Sequence, residues 1–277
     1  MKKISVIILS ILCLFTLTSC GLLEGAVELT TPLSFAENSD GTYSVSGCDE
    51  SVTKVEIPSS FLGKPVTAIG DYAFRDCVPL QSVTIPNSIE KIGMEAFRGC
   101  TYLKSINIPD SVTIIDNSAF AGCINLTSII IPSSVALVGW CVFENCSQLT
   151  DISFSCNSKT YEGNEISLLS LFYGGEPSEG IFYEFGGRTM NITIIDSTYI
   201  PEGVFMGFYD SSLNLYIPKT VTRIKGNAFY NCYALKNVYY EGSKDEWNNI
   251  EIEGGNDWLT DPDSVGMNVN IYYNYSK

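Results

Sequence analysis

A repeating unit runs through almost the whole chain and limits the folds open to it. Each unit contains a short apolar segment. The last residue of this segment is the anchor, and proline follows it in most units. The anchors are Ile57, Ile85, Ile108, Ile131, Phe154, Ile194, Ile217 and Tyr240, at spacings of 28, 23, 23, 23, 40, 23 and 23 residues. A unit of 23 residues is too small to bury an apolar face alone, so the units must stack on one another. The period predicts one continuous repeat solenoid.

Each unit contains three kinds of segment. The pattern Leu-x-x-Val-x-Ile-Pro alternates apolar and polar positions near its end, which predicts a short strand that the proline closes. A second short extended segment follows, as in Val112-x-x-Ile115. The pattern Ala-Phe-x-x-Cys-x-x-Leu then places apolar residues three apart, which predicts one or two turns of helix. The expected fold class is therefore an α/β repeat solenoid, strand-rich with short helical turns and about 23 residues per coil.

The two ends of the repeat carry different patterns, as the ends of a stacked solenoid require. Asn38-Ser-Asp-Gly41 separates two alternating segments, which predicts a β-hairpin cap. Ser243-x-x-Glu246 is a capping-box pattern in front of Trp247, and residues 268–273 read as a last strand. We expect a single domain over 33–277, with an insertion at 155–190 and a C-terminal cap from about 241.

The repeat pattern is similar to that of a known family. The segment from Ser105-Ile-Asn-Ile-Pro to Ala119-Phe-Ala-Gly-Cys-Ile-Asn-Leu126 resembles the BspA-like leucine-rich repeat proteins, and Tyr239 to Trp247 resembles the closing segment of that family. The resemblance implies a right-handed β/α superhelix and an extracytoplasmic binding or adhesion role. It also implies host or matrix proteins as partners, and it offers no catalytic residue.

The N-terminus has the features of an export signal. Lys2 and Lys3 precede a mostly apolar run that ends at Leu17-Thr18-Ser19-Cys20. The run is too short to cross a bilayer as a helix. Its last four residues resemble the lipobox of bacterial lipoproteins, which implies a signal peptide over 1–19, lipidation of Cys20 and a short tether over 20–32. A plain secretory signal is the alternative.

Composition excludes several kinds of function. The chain has no histidine, which excludes Ser-His-Asp and Cys-His catalysis and histidine-ligated zinc. A net charge of −15 argues against a nucleic-acid partner. The acidic residues form no metal-binding pattern, so we expect no cofactor and no metal site.

Cysteine is frequent, but most of it follows the repeat. Five cysteines occupy one repeat position beside Phe and Leu, where we expect a column of buried thiols: Cys77, Cys100, Cys123, Cys146 and Cys232. Cys141 and Cys156 lie outside this column. They are the better candidates for a disulfide bridge.

Two surface features are candidates for ligand binding. The outward positions of the first strand form a neutral column rich in hydroxyl and amide groups, with Asn191, Asn214, Tyr216, Asn237 and Tyr239 towards its C-terminal end. The other feature is an apolar patch at positions that are polar in other units, formed by Ile114, Ile130, Leu137 and Trp140. The insertion either covers this patch or forms a binding site with it.

These features predict a lipid-anchored, surface-exposed protein of the bacterial cell envelope. We expect it to bind a host or matrix protein or a glycan through its repeat surface, without catalysis. The alternatives are a carbohydrate hydrolase that uses Asp or Glu, and a purely structural envelope protein.

Overall fold

The computed structural model describes residues 32–157, 168–172, 187–209, 212–256, 259 and 269–276. The strands are β1 Leu33–Glu37, β2 Tyr43–Cys48, β3 Lys54–Glu56, β4 Ser60–Phe61, β5 Lys64–Ile69, β6 Ser82–Thr84, β7 Lys91–Ile92, β8 Ile114–Ile115, β9 Ser128–Ile130, β10 Leu137–Val138, β11 Asp151–Phe154, β12 Thr189–Ile194, β13 Tyr199–Ile200, β14 Ser212–Ile217, β15 Arg223–Ile224, β16 Leu235–Tyr240, β17 Glu251–Ile252 and β18 Asn270–Tyr272. The helices within these ranges are α1 Leu168–Phe172 and α2 Lys244–Asn248. The strand-rich repeat solenoid expected from the sequence is confirmed.

Successive coils add parallel strands to long sheets. The first strand of each coil builds a six-stranded sheet in the order β18-β16-β14-β12-β11-β9 and a two-stranded sheet of β3 and β6. Residues 105–107 stand between these sheets and form no strand. The second strand of each coil builds a seven-stranded sheet, β1-β2-β5-β7-β8-β10 with β4 beside β5, and a three-stranded sheet, β13-β15-β17. The pairs between coils are parallel and in register, so equivalent residues of neighbouring coils stand side by side.

The core lies inside the coils and repeats from one coil to the next. A column of phenylalanine rings runs along it, with ring centroids 5.0 Å apart for Phe74 and Phe97, 5.4 Å for Phe97 and Phe120, and 5.9 Å for Phe120 and Phe143. All four rings are fully buried, and the inward Val and Ile residues of the strands are buried as well. One apolar cluster extends from Leu33 to Val269. The core is therefore continuous along the solenoid.

The Ala-Phe-x-x-Cys segment consists of successive turns rather than the predicted helix. Tyr72 and Asp76 both have positive φ, at 62° and 57°, and the equivalent positions of later coils repeat this pair. The N–H of Phe74, between them, donates to the carbonyl of Ala96 in the next coil at 2.7 Å. A continuous α-helix would keep that N–H inside the segment. The alternating turns direct it outward and so hold neighbouring coils together.

A β-hairpin stands at the N-terminal end of the solenoid, and a short capped helix and a last strand stand at its C-terminal end. β1 and β2 pair as an antiparallel hairpin. Ser243 and Glu246 form a complete capping box at the start of α2, which buries Trp247. β18 pairs with β16 and ends the six-stranded sheet.

The two irregular spacings have separate structural causes. The first coil is five residues longer because β4 and β5 form a tight antiparallel hairpin within it. In the long spacing, the carbonyls of Ser170 and Leu171 in α1 accept the N–H groups of Cys141 and Phe143, at 2.9 and 2.7 Å. The ring of Phe172 lies 6.1 Å from that of Phe143. This part of the predicted insertion therefore continues the core, while residues 158–167 and 173–186 lie outside the described ranges.

Candidate functional site

The outward face of the six-stranded sheet carries the candidate site. Strands β12, β14 and β16 alternate buried apolar residues with partly exposed polar ones. The parallel register aligns one outward position of each strand into a row, which we call the amide row: Asp151, Asn191, Asn214, Asn237 and Asn270. Strand alternation and register therefore place the side chains of five coils side by side.

The amide row is joined by side-chain hydrogen bonds in one direction. Asn270 donates to Asn237 at 3.2 Å, Asn237 to Asn214 at 2.8 Å, and Asn214 to Asn191 at 2.9 Å. Asn191 then donates to the carboxylate of Asp151 at 3.0 Å. Each bond uses one of the two N–H bonds of an amide, so the other remains a potential donor to a ligand.

Two residues along each strand, the same face carries a second row. The rings of Tyr216 and Tyr239 are stacked with centroids 4.8 Å apart, and those of Tyr239 and Tyr272 at 5.0 Å. Tyr275 lies tilted against Tyr216 and Tyr239, at 5.2 and 5.1 Å. We call these four residues the tyrosine stack. Tyr272 at its end is 46% exposed, and the other three are partly buried.

Electrostatically, the tyrosine stack is neutral. Burial raises the pKa of Tyr216, and the neighbouring Tyr275, Tyr239 and Asp151 raise it further. The phenol therefore keeps its proton at neutral pH and presents an O–H that both donates and accepts. Among the residues of the amide row, Asp151 is the one that carries a charge.

The structure brings together the predicted Asn191, Asn214, Tyr216, Asn237 and Tyr239, places Asp151 beside Asn191, and adds three residues at the C-terminal end. Asn270 and Tyr272 continue the two rows on β18, and Tyr275 follows that strand. The sequence predicts the last strand, but the repeat pattern does not extend the outward positions onto it. Asn270 follows Asn237 by 33 residues rather than by the repeat period of 23, so the period does not predict that Asn270 and Tyr272 continue the two rows.

The predicted apolar patch is divided between two sheets. Ile114 and Leu137 are register partners on β8 and β10 and are partly buried. The N–H of Trp140, at the following corner, donates to the side chain of Asn117 at 2.8 Å. Ile130 is 60% exposed but lies on β9, in the six-stranded sheet. Three of the four residues therefore belong to one corner of the solenoid, and Ile130 belongs to the face of the amide row.

The cysteine column is buried and reduced. Cys100, Cys123 and Cys146 are thiols whose S–H groups donate to the carbonyls of Phe74, Phe97 and Phe120, at 3.1 to 3.2 Å. Burial raises the pKa of each of these thiols. Cys141, one of the two better candidates for a disulfide bridge, is a partly buried thiol in the structure.

Metal binding, membrane insertion and glycoside hydrolysis each require a characteristic set of residues. Within the described ranges, no group of three or more Cys, Asp or Glu side chains is placed to hold a metal ion, and no helix is long and apolar enough to cross a membrane. An open groove beside β2 and β5 is lined by one carboxylate, Asp71, together with Lys91 and Tyr72. Asp71 accepts the N–H of Met94 at 2.9 Å. The groove therefore lacks the pair of carboxylates that a glycoside hydrolase uses.

Comparison with known proteins identifies the repeat. The sequence matches the BspA type leucine-rich repeat region in 6 copies, over residues 67–171 and 177–251. A leucine-rich repeat protein of T. pallidum (TpLRR) is 23% identical, with a TM-score of 0.51, and the match covers 74% of this chain and 88% of that one. A leucine-rich repeat protein of Bacteroides capillosus is 30% identical over 45% of this chain and 94% of that one, with a TM-score of 0.40. A leucine rich cell surface protein of Faecalibacterium prausnitzii is 20% identical over 79% and 96%, with a TM-score of 0.38.

No curated protein matches the chain. The family match covers well over half of the residues, and the T. pallidum protein shares the fold. The chain belongs to the BspA-type leucine-rich repeat family.

Proposed function

We propose that this chain is a lipid-anchored protein of the bacterial cell surface that binds a protein or glycan through the tyrosine stack and the amide row, without catalysis. Leucine-rich repeat proteins of this kind generally have a binding or structural role that the repeat itself provides. The observation that carries the proposal is the tyrosine stack on an outward sheet face, with Tyr272 exposed at its end.

The chemistry of this face suits a neutral, hydroxyl-rich or amide-rich ligand. Tyrosine offers a large apolar ring and a polar O–H at little conformational cost, which is why it is enriched at binding surfaces. The amide row adds regularly spaced N–H donors beside the rings. A polypeptide or a sugar chain that runs along the rows presents matching acceptors and apolar C–H surface.

The site of attachment is Cys20. Its lipobox-like context supports removal of residues 1–19 and acylation of the sulfur, and several buried acyl chains anchor a protein durably. A Cys20→Ser chain should leave the membrane fraction, whereas a Cys13→Ser chain should stay in it. Mass spectrometry of the Cys13→Ser chain should detect the acyl groups on its N-terminal peptide. Retention of Cys20→Ser in the membrane would contradict the anchor.

A purely structural role is the second candidate, and the amide row itself favours it. Bonded amides and stacked aromatic rings stabilise neighbouring parallel strands without any ligand. In that case the chain should bind none of the ligands tested, and substitutions on the outward face should change no binding. The same experiment separates the two functions.

The test is binding of the full-length chain, purified in detergent, to arrays of extracellular-matrix proteins and glycans. Tyr272→Ala and Tyr275→Ala remove rings from the stack, and Tyr102→Ala is the matched control because it removes a ring that is 54% exposed elsewhere. Saturable binding that the first two variants weaken at least tenfold, and the control does not, supports the proposal. Binding lost instead in a Leu137→Asp/Trp140→Ala variant would move the site to the apolar corner. Absence of binding across the arrays would favour the structural role.

A further inference from the structure

At its N-terminal end, the cysteine column contacts a cysteine that is not part of it, Cys48. The sulfur of Cys77, in the first coil, lies 3.5 Å from the sulfur of Cys48 at the end of β2. Both residues are thiols in the structure. A disulfide needs its sulfurs about 2 Å apart, so these two sulfurs need to approach by only about 1.5 Å to bond.

Cys77 differs from Cys100, Cys123 and Cys146 in what its S–H group can reach. Cys100, Cys123 and Cys146 each have a carbonyl acceptor 3.1 to 3.2 Å away in the preceding coil. Among the residues described from position 32 onwards, no such coil precedes Cys77, and its carbonyl contacts, to Asp49 and Val52, are 3.9 and 4.0 Å long. Bonding to Cys48 therefore sacrifices no good hydrogen bond.

We propose that Cys48 and Cys77 form a disulfide that fastens the N-terminal hairpin to the first coil. The bridge would close the segment that contains β3, β4 and β5, which is the part of the solenoid with no coil before it. The end of a stack is where such a fold opens first, because each coil is held by its neighbours. Formation of this disulfide in the cell requires an oxidising compartment, and it therefore rests on the export that is part of the proposed function.

The reaction needs an exchangeable disulfide as oxidant, such as oxidised glutathione or the disulfide of a thiol oxidoreductase. Cys48 is partly exposed and Cys77 is buried, so the Cys48 thiolate attacks the oxidant first and releases one thiol. The Cys77 thiolate then attacks the Cys48 sulfur of the mixed disulfide and releases the second thiol. The two cysteines lose two electrons and two protons, and the oxidant takes them up.

The surroundings make this oxidation slow at neutral pH. Burial raises the pKa of both thiols, and the nearby Asp49 carboxylate raises both further. Glu50 acts in the same direction on Cys77, and Cys100 on Cys48. Because the thiolate is the reacting species, the rate should increase with pH between 7 and 9.

The experiment uses the full-length chain, reduced and then held at pH 8 in a glutathione redox buffer. After an acid quench, free thiols are alkylated in denaturant and the peptides are mapped by mass spectrometry. We expect a peptide pair joined through Cys48 and Cys77, with Cys100 and Cys123 alkylated. This assay does not depend on export, so a negative result rejects the bridge and leaves the proposed function intact.

Variants and stability complete the test. Cys141→Ser, which removes another partly buried thiol, should keep the joined pair, and Cys48→Ser should abolish it. The oxidised wild type should unfold about 5 °C above the reduced protein. Cys48→Ser should unfold at the same temperature in both buffers. Glutathione-capped or alkylated Cys48 in fully equilibrated wild type, or a bridge to another cysteine, would overturn the proposal.

Discussion

At the scale of single residues, Asn256 shows how the solenoid replaces a missing coil. In the preceding coils the N–H of the column phenylalanine donates to a backbone carbonyl of the next coil, as Phe205 does to Ala228 at 2.9 Å. For Phe229 the acceptor is instead the side-chain oxygen of Asn256, at 3.1 Å. The amide nitrogen of Asn256 bonds the carbonyls of Lys225 and Glu253 at 2.8 and 2.9 Å.

Asn256→Ala is therefore expected to lower the free energy of unfolding by about 2–3 kcal/mol, because it leaves a buried N–H without an acceptor. Asn249→Ala is the control, since the side chain of Asn249 makes an exposed hydrogen bond to the carbonyl of Asp245. It should change the free energy by about 0.5 kcal/mol or less. Urea unfolding followed by tryptophan fluorescence measures both. Equal effects for the two variants would show that Asn256 has no special role at the end of the stack.

The turn between β4 and β5 contains a residue that fits its backbone poorly. Leu62 has a φ of +50° and is 65% exposed, and Gly63 follows with a φ of +77°. A two-residue hairpin turn with positive φ at both positions favours Asn-Gly. Leu62→Asn should raise the free energy of unfolding by about 1 kcal/mol, measured by urea unfolding.

Gly63→Ala provides the opposite substitution at the same turn. Apart from its chain neighbours, no atom of the residues that the structure describes lies within 4 Å of the added methyl group, so its effect comes from the backbone. It should lower the free energy of unfolding by about 1 kcal/mol. A gain from this variant, or a loss from Leu62→Asn, would contradict the assigned turn.

At the scale of elements, the corner after the second strand sets how closely neighbouring coils pack. The N–H of Gly139 donates to the carbonyl of Ile115 at 2.8 Å. A Cβ at Gly139 would lie 2.4 Å from the backbone nitrogen of Asn117 and 2.6 Å from the carbonyl carbon of Asp116. Since both are backbone atoms, the two coils would have to separate to admit a methyl group.

Gly139→Ala should lower the free energy of unfolding by about 2–3 kcal/mol, through overpacking against the neighbouring coil. Gly254→Ala is the matched control, because no described atom outside its chain neighbours lies within 4 Å of its Cβ position and its φ is not positive. The control should stay within about 0.5 kcal/mol of the wild type. Thermal unfolding by circular dichroism compares the two, and similar midpoints would refute the close approach at this corner.

The elements differ in how well the sequence predicts them. Alternation predicts the strands because each inward position, such as Ile192 or Leu215, must be apolar. The turn segments were expected to be helical because a spacing of three between apolar residues also fits a helix. The hydrophobic pattern does not predict the positive φ of Tyr72 and Asp76, which is what divides the segment into turns. Phe205 lies eleven rather than twelve residues after its anchor, and so a strict period overlooks it in the phenylalanine column.

At the scale of the whole molecule, the two families of sheets are interrupted at different places. Within the described part of the chain, the second-strand sheets stop at β10 and begin again at β13, on either side of the long spacing. The six-stranded sheet crosses it without a break, because Asp151–Phe154 pairs directly with Asn191–Ile194. The candidate site lies on the sheet that is continuous there. Its first rows were predictable from the repeat, but its C-terminal end depends on how the cap adds β18.

The C-terminal cap is expected to stabilise the whole solenoid rather than its own residues alone. β18 covers the edge of β16, β17 covers that of β15, and the ring of Trp247 packs edge-on against buried Tyr240 at 5.3 Å. Deletion of residues 242–277 exposes two sheet edges and the end of the core, and uncapped repeats lose stability and solubility. The thermal midpoint should fall by about 10 °C or more, with aggregation on heating.

The control for this deletion is a chain that lacks only residues 276–277, which lie beyond the tyrosine stack. It should unfold at the wild-type temperature and remain soluble, as measured by circular dichroism and light scattering. Because the core is one cluster from Leu33 to Val269, loss of the cap should lower the midpoint of the entire transition rather than release a separate low-temperature phase. A chain without 242–277 that unfolds at the wild-type midpoint would show that the last coil is stable without a cover, and that the cap serves the candidate site alone.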